Sequence, residues 1–366
     1  MLRYSFVFLF LLYTLIATAQ ITPAMRAAAW DVAADSVRFE TFDGKAAMRL
    51  TDNQVIAFVP ELRFRTGTIE YDIWPDTNQV FSFVYFRHQS SANTECFYLR
   101  TKSAGYPAAP QTAQYAGIVD GINYWDISPL YQSGTQLLPH QWNRVRLEVS
   151  ENQLTATLNG EPVLRIPMLQ GERGSGRVGF RGQCAIANVR ISTTPPANLS
   201  DAPGIDITAH DPGYLRNWEV SAPLSLPPGR LPTGADLPDA TTTWTAIAPE
   251  FAQLLNLSRR FGRGDERRLA WLRTTIRARE AERVALDLGF SDDVYVYLNG
   301  QLVFLDQNTY RQPIAKSNGR LRIDNARTEL PLRAGDNELL IGVANNFFGW
   351  GLIARLRDYD WKNLRF

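Results

Sequence analysis

The chain has 366 residues and carries 38 Lys and Arg against 37 Asp and Glu, for a formal net charge of +1. A balance so near neutrality gives no general pull toward nucleic acid or an acidic membrane surface. Its length suggests two domains of roughly 100–200 residues each, large enough to build cores without disulfide staples.

The sequence opens on MLRYSFVFLFLLYTLIATAQ: one early charge, Arg3, an apolar run from Phe6 to Ile16, then Ala17-Thr18-Ala19. This is the three-part layout of a secretory signal peptide, and its apolar run is too short for a comfortable membrane span. Residues 1–19 are therefore expected to be removed, leaving an exported, soluble chain (periplasmic or extracellular) that starts near Gln20. No later stretch approaches the roughly 20 apolar residues of a spanning helix. Export would permit a bridge between the two cysteines, Cys96 and Cys184. The expectation is instead two free, buried thiols behaving as small hydrophobes.

Strand signals then recur. In TIEYDIW, Ile69, Tyr71 and Ile73 alternate with Thr68, Glu70, Asp72 and Trp74, and VFSFVYFRH, CFYLRT, WNRVRLEVS, LTATLNG and NVRIST read the same way. The window STTPPANLSDAPG, residues 192–204, is the most loop-like in the chain, and few contacts are expected to cross it. Beyond it come WLRTTIRAR, RVALDLGF, DVYVYLNG, LVFLD and ELLIGVAN. PEFAQLLNLSRRF (249–261) is the one short helix expected, with Phe251, Leu254, Leu255 and Leu257 on one side. Asn159-Gly160 and Asn299-Gly300 each join two β-rich runs. A type I′ hairpin needs φ > 0 at both central positions, which Asn and Gly tolerate best. Short strands without alternating helices predict an all-β chain of two antiparallel β-sandwiches in tandem, residues 20–194 and 205–366, with a linker at 195–204.

At this point the segments GTIEYDIWPD, VYFRH, TECFYLRTK, AQYAGIVDGINYWDI, HQWNRVRLEVSENQLTATLNGEPVL and GRVGFRG together resemble the laminin-G-like, concanavalin A-like jelly roll of exported bacterial proteins. That group includes the domain found with 3-keto-disaccharide hydrolases and glycoside hydrolase family 16. The second half, through LDLGFSDDVYVYLNGQLVF and LRAGDNELLIGVANNFFGWG, resembles the galactose-binding-like jelly roll of many glycoside hydrolases. These resemblances imply an association with carbohydrate. A fold hosts many functions, so they imply no particular reaction.

The sharpest enzymatic motif is Glu70-x-Asp72, because family 16 hydrolases carry Glu-x-Asp-x-x-Glu on one strand. Here the series breaks at Ile73, Trp74, Pro75 and Asp76. Glu70 and Asp72 are therefore expected on a solvated face. The better candidate is the cluster Arg87, Glu95, Tyr98, Arg100, Gln114, Tyr115 and Trp125, spread over two strands and a long loop, 101–141. Tyr98 and Arg100 share a strand face opposite Phe97 and Leu99. Aromatic platforms with Arg, Glu and Gln suit a sugar, whose apolar face stacks while its hydroxyls pair. The competing expectation is a structural network in which Arg87 or Arg100 pairs with Glu95.

In the second half, Tyr310, Arg311, Trp350 and the run NNFFGWG offer either a shallow pocket or a sheet edge folded over its core, and Trp218 and Trp244 read as packing residues. Arg263-Gly264-Asp265 spells an integrin-binding tripeptide within a mixed-charge loop. The histidines, His88, His140 and His210, are dispersed, and neither cysteine has a C-x-x-C partner. Asp292, Asp293 and Asp336 are the only basis for a structural calcium, and no other cofactor is expected. The sequence therefore leads to an exported carbohydrate-binding or accessory protein of glycan utilisation. Its rivals are a divergent glycoside hydrolase or lyase using Glu95, and a structural or protein–protein interaction protein of the cell surface.

Overall fold

Strict alternation builds the first core. In strand Gly67–Pro75, Ile69, Tyr71 and Ile73 point inward and are buried, while Thr68, Glu70 and Trp74 face out and stay half-buried. The computed structural model describes residues 20–129, 131–262, 264, 266–360 and 362–366. The expected signal peptide lies outside these residues, as do Arg263 and Asp265 of the Arg-Gly-Asp tripeptide.

Two sheets form the first sandwich. An eight-stranded sheet runs in the order Glu161–Ile166, Leu154–Leu158, Asn143–Val149, Gly67–Pro75, Cys184–Ser192, Lys45–Leu50 and Val37–Phe42, with Gln20–Ile21 paired to Cys184–Ser192. Facing it is a seven-stranded sheet, in the order Gln132–Ser133, Ala113–Val119, Thr94–Leu99, Ser82–His88, Arg177–Gly182 and Ala57–Phe58, with Ile122–Asn123 paired to Ala113–Val119. The second sandwich packs an eight-stranded sheet centred on Arg268–Ala278 and Gly335–Ala344 against a four-stranded one centred on Glu282–Ser291 and Gly351–Arg357. Paired strands run antiparallel, as expected of two sandwiches in tandem. Both cysteines are free and buried. Among the described residues no helix is long and apolar enough to cross a membrane.

Both Asn-Gly pairs close hairpins with positive φ at each position: 54° and 89° at Asn159-Gly160, 52° and 80° at Asn299-Gly300. The likeness goes further than the turn. The Asn159 backbone N–H donates to the Arg144 carbonyl and its Oδ1 accepts from the Arg144 N–H, both at 2.8 Å, while its Nδ2 donates to Asn143 Oδ1 at 3.0 Å. Asn299 repeats this on Glu338 at 2.9 and 3.0 Å and on Asn337 at 3.0 Å. Asn143 and Asn337 are each fully buried at the root of the next strand, where their Nδ2 groups satisfy carbonyls of the incoming loop. One polar clamp thus fixes the hairpin corner of each sandwich.

Three expectations need correction. The helix over 249–261 is confined to Leu257–Phe261, because Ala252 and Gln253 take positive φ (59° and 62°) and Leu255–Asn256 joins a sheet; Asn256 then caps the short helix by accepting from the Arg259 N–H. The long loop 101–141 contains the strand Ala113–Val119, so Gln114 and Tyr115 sit on opposite faces of a sheet. Contacts do cross the linker, between apolar faces of the two sandwiches, and the linker itself is held down. Ser150 Oγ and Asn152 Nδ2 donate to the Ser200 and Asp201 carbonyls at 2.6 Å each, and Gln153 Nε2 donates to the Ala202 carbonyl at 2.7 Å, tying it along the first sandwich.

The sandwiches also share an interface. Val119, Ile122, Tyr124 and Ile127 pack against Tyr214, Leu254, Leu321 and Ile353. Arg320, 1 % exposed, reaches from the second sandwich to Gln132 Oε1 at 2.7 Å and lies 5.1 Å from the Trp125 ring.

Candidate functional site

The seven-stranded sheet turns its outer face toward the second sandwich, and a cleft of about 580 Å³ lies between them. That is the size range of small-ligand sites. Parity decides what faces it. In Ser82–His88, Val84 and Phe86 enter the core while Phe83 and Tyr85 point the other way; in Thr94–Leu99, Phe97 and Leu99 go inward while Cys96 and Tyr98 go out. Register then aligns Arg181, Phe83, Tyr98 and Gln114 as one row across four strands. The rings of Phe83 and Tyr98 lie 5.1 Å apart, and the Arg181 guanidinium rests 4.5 Å from the Phe83 ring. Such cross-strand aromatic contacts stabilise the sheet itself.

Gln114 organises this floor from beneath. Its Oε1 accepts from the Tyr98 hydroxyl at 2.9 Å and from Trp125 Nε1 at 2.8 Å, and its Nε2 donates to the Gln111 carbonyl at 2.7 Å. Tyr98 and Trp125 are thereby held in one orientation, each about 95 % covered. From the second sandwich Tyr310 meets Trp125 edge-on at 5.3 Å and Phe347 at 4.8 Å, while Phe348 remains 47 % exposed at the rim. The NNFFGWG run thus does both things expected of it: Trp350 is core, and Phe347 and Phe348 line the cleft. Trp218 is also core, and Trp244 is half-buried under Arg273.

The seven residues singled out from the sequence do not form one site. Tyr98, Arg100 and Trp125 line the cleft, with Gln114 supporting it. Arg87, Glu95 and Tyr115 lie on the far side of the sheet, inside the sandwich. Glu95 is three residues from Tyr98, so alternation sends it to the core face beside Phe97. There it is 1 % exposed, accepts from Arg87 Nη1 at 2.9 Å, and also accepts from the Tyr115 hydroxyl. Arg87 should face outward by parity, but its φ of 49° and a register slip opposite Arg177 and Gly179 turn it inward. It donates to the Arg65 and Ser150 carbonyls at 2.7 and 2.6 Å. Burial pushes the Glu95 carboxyl up from its ordinary range, against the opposing pull of Arg87 and Tyr115. A carboxyl so enclosed meets no substrate in this geometry.

Glu70 and Asp72 stand on the opposite, outer face of the molecule in a ladder with Arg146, Arg144 and Lys45. Burial would raise the Asp72 carboxyl, but donors from Lys45, Asn188 and Arg144 hold it below its ordinary range. Asp336 pairs with Arg277 near the start of strand Gly335–Ala344, while Asp293 pairs in register with Ala344 at its far end, so the three aspartates do not converge. No cluster of three or more metal-ligating side chains occurs among the described residues.

Phe83 and Tyr85 are not singled out in the sequence: alternation sets them opposite Val84 and Phe86, but both faces of this strand are apolar, so it does not say which one enters the core. Tyr310 and the NNFFGWG run that holds Phe347 are singled out in the sequence, whereas Arg181 carries no signal there. In the cleft wall, burial pushes the Cys96 thiol up to about 12, which keeps it protonated and unreactive at neutral pH. Among the described residues the site offers ring faces and amide and guanidinium donors.

No family model matches this sequence, and neither does any curated protein sequence. Among solved structures the chain is similar to the carbohydrate-binding module CBM66 of Bacillus subtilis, at 12 % identity, covering 44 % of this chain and 93 % of that one with a TM-score of 0.34. It is also similar to a protein with a galectin-like fold from Bacillus subtilis, at 13 % identity over 47 % and 94 % of the two chains, TM-score 0.34. A third is the β-glucanase of Bacillus licheniformis, at 9 % identity over 49 % and 99 %, TM-score 0.34. Each likeness spans less than half of this chain.

Proposed function

We propose that the chain is an exported carbohydrate-binding protein whose ligand occupies the cleft between its two sandwiches. The observation that carries this reading is the cross-strand row of Phe83 and Tyr98, capped from the second sandwich by Tyr310 and Phe347. Tilted aromatic faces with amides and guanidiniums at their edges match a pyranose, which has apolar faces and an equatorial belt of hydroxyls. The cleft walls come from both sandwiches, so the whole chain is the binding unit. Glycan binding by the full chain, measured by array and then by calorimetry, tests the reading. Phe83→Ala and Phe347→Ala should each weaken binding about thirtyfold, the loss of one good aromatic anchor of roughly 2 kcal/mol. Absence of binding to any glycan, or full affinity in both variants, would refute it and favour a role toward a protein partner at the cell surface. Export is tested separately: the mature protein should begin near Gln20 by mass spectrometry, and retention of Met1 would refute the leader.

A further inference from the structure

The chain as a whole is almost neutral, yet the cleft is not. Among the described residues that line it there is no Asp or Glu, while three arginines are present: Arg100, Arg181 and Arg311. Of the other arginines, some are tied to carboxylates, as Arg87 is to Glu95, Arg146 to Glu70 and Glu148, and Arg327 to Asp287, and others, such as Arg216 and Arg268, donate to backbone carbonyls. The cleft arginines are different. None of the three takes part in an ion pair, and none of their guanidinium groups donates a hydrogen bond within the described residues. Arg100 Nε and Arg181 Nε are buried with no hydrogen-bond partner among the described residues.

What holds these side chains is aromatic. Arg100 lies 5.0 Å from the Phe81 ring, Arg181 lies 4.5 and 5.1 Å from Phe83 and Tyr85, and Arg311 lies 5.2 Å from Tyr310. Stacking on a ring uses the face of a guanidinium and leaves the N–H donors along its edge free. A planar fork of free donors in a partly desolvated cleft matches the oxygens of a carboxylate or sulfate in bidentate fashion. Three uncompensated cations also repel one another across one small space, and an anion between them removes that repulsion.

Resting on the carbohydrate reading above, we propose that the ligand is an anionic glycan whose carboxylate or sulfate groups are bound by Arg100, Arg181 and Arg311. The probes are a polyuronate and its carboxyl-reduced form, a sulfated galactan and its desulfated form, and a neutral panel of fructan, xylan and β-glucan. Full-length protein should bind one charged member at least tenfold more tightly than its neutral counterpart. Which pair shows the difference tells carboxylate from sulfate. Arg100→Gln and Arg181→Gln should each cost about tenfold to a hundredfold in affinity, the range of a charge-assisted hydrogen bond. Arg311 is exposed, so Arg311→Gln gives a variant whose folding is not in question, and it should also weaken binding. Affinity should fall as salt is raised. Equal binding of charged and neutral partners, tight binding confined to the neutral panel, or affinity indifferent to salt would each overturn the proposal while leaving the carbohydrate reading standing. No binding to any of these glycans would overturn both.

Discussion

Replacing Glu95 by Ala tests the division between cleft and core most directly. The substitution leaves the Arg87 guanidinium, 2 % exposed, without its carboxylate and the Tyr115 hydroxyl without its acceptor. Breaking a buried ion pair by removing one partner costs about 3–5 kcal/mol. A unit of the size of the first sandwich loses roughly 2–4 °C of Tm per kcal/mol, so the fall should be about 6–20 °C. Glu95→Gln keeps the shape and an acceptor but leaves Arg87 uncompensated, and it should fall in between. Differential scanning calorimetry gives the stability, and glycan titration well below the transition gives the affinity. Affinity should match wild type in both variants, because Glu95 lies on the opposite side of the sheet from Tyr98. A Tm within 2 °C of wild type in Glu95→Ala would refute the assignment of Glu95 to the core network. So would a folded Glu95→Gln that had lost the ligand.

The hairpin clamp predicts matched losses in the two sandwiches: Asn143→Ala and Asn337→Ala each strand several buried backbone groups, so each should lower stability by about 2 kcal/mol or more in chemical denaturation. Equal stability to wild type would remove the clamp from the account. The sandwich interface predicts a pH dependence. Asp126 and Asp292 face each other across it; burial first, then the neighbouring carboxyl, pushes Asp126 well above its ordinary range, and burial pushes Asp292 up to about 7. Carboxyls with raised folded-state pKa contribute stability that is complete below the ordinary carboxylate range and is lost as pH rises through the folded value, for Asp292 on the order of 4 kcal/mol. Tm should therefore be higher at pH 5 than at pH 7.5, and Asp126→Asn should flatten the difference; a Tm that rises with pH over this interval contradicts the assignment.

What the sequence determined by itself is what short-range periodicity can encode. Alternation in TIEYDIW and VFSFVYFRH specifies the strands, and in TIEYDIW, where only one set is apolar throughout, it also specifies which side chains enter the core, because successive side chains on a strand point to opposite faces. The Asn-Gly pairs specify the hairpins, because few other dipeptides accept two positive φ values in succession. By the same parity the sequence separates Glu95 from Tyr98, and grouping them by proximity in the chain obscured this. Arg87 escapes parity through a bulge, and the short-helix pattern at 249–261 yields where Ala252 and Gln253 leave helical backbone. The clamp residues Asn143 and Asn337 bond to their own loops but also reach the hairpin asparagines 16 and 38 positions away, which no local pattern announces. The cleft itself was decided only by tertiary structure. Trp125 and Tyr310 meet across 185 residues because an apolar patch on one sandwich is buried by an apolar patch on the other. Burial of apolar surface is non-directional and independent of chain distance, so no local pattern in either segment announces its partner.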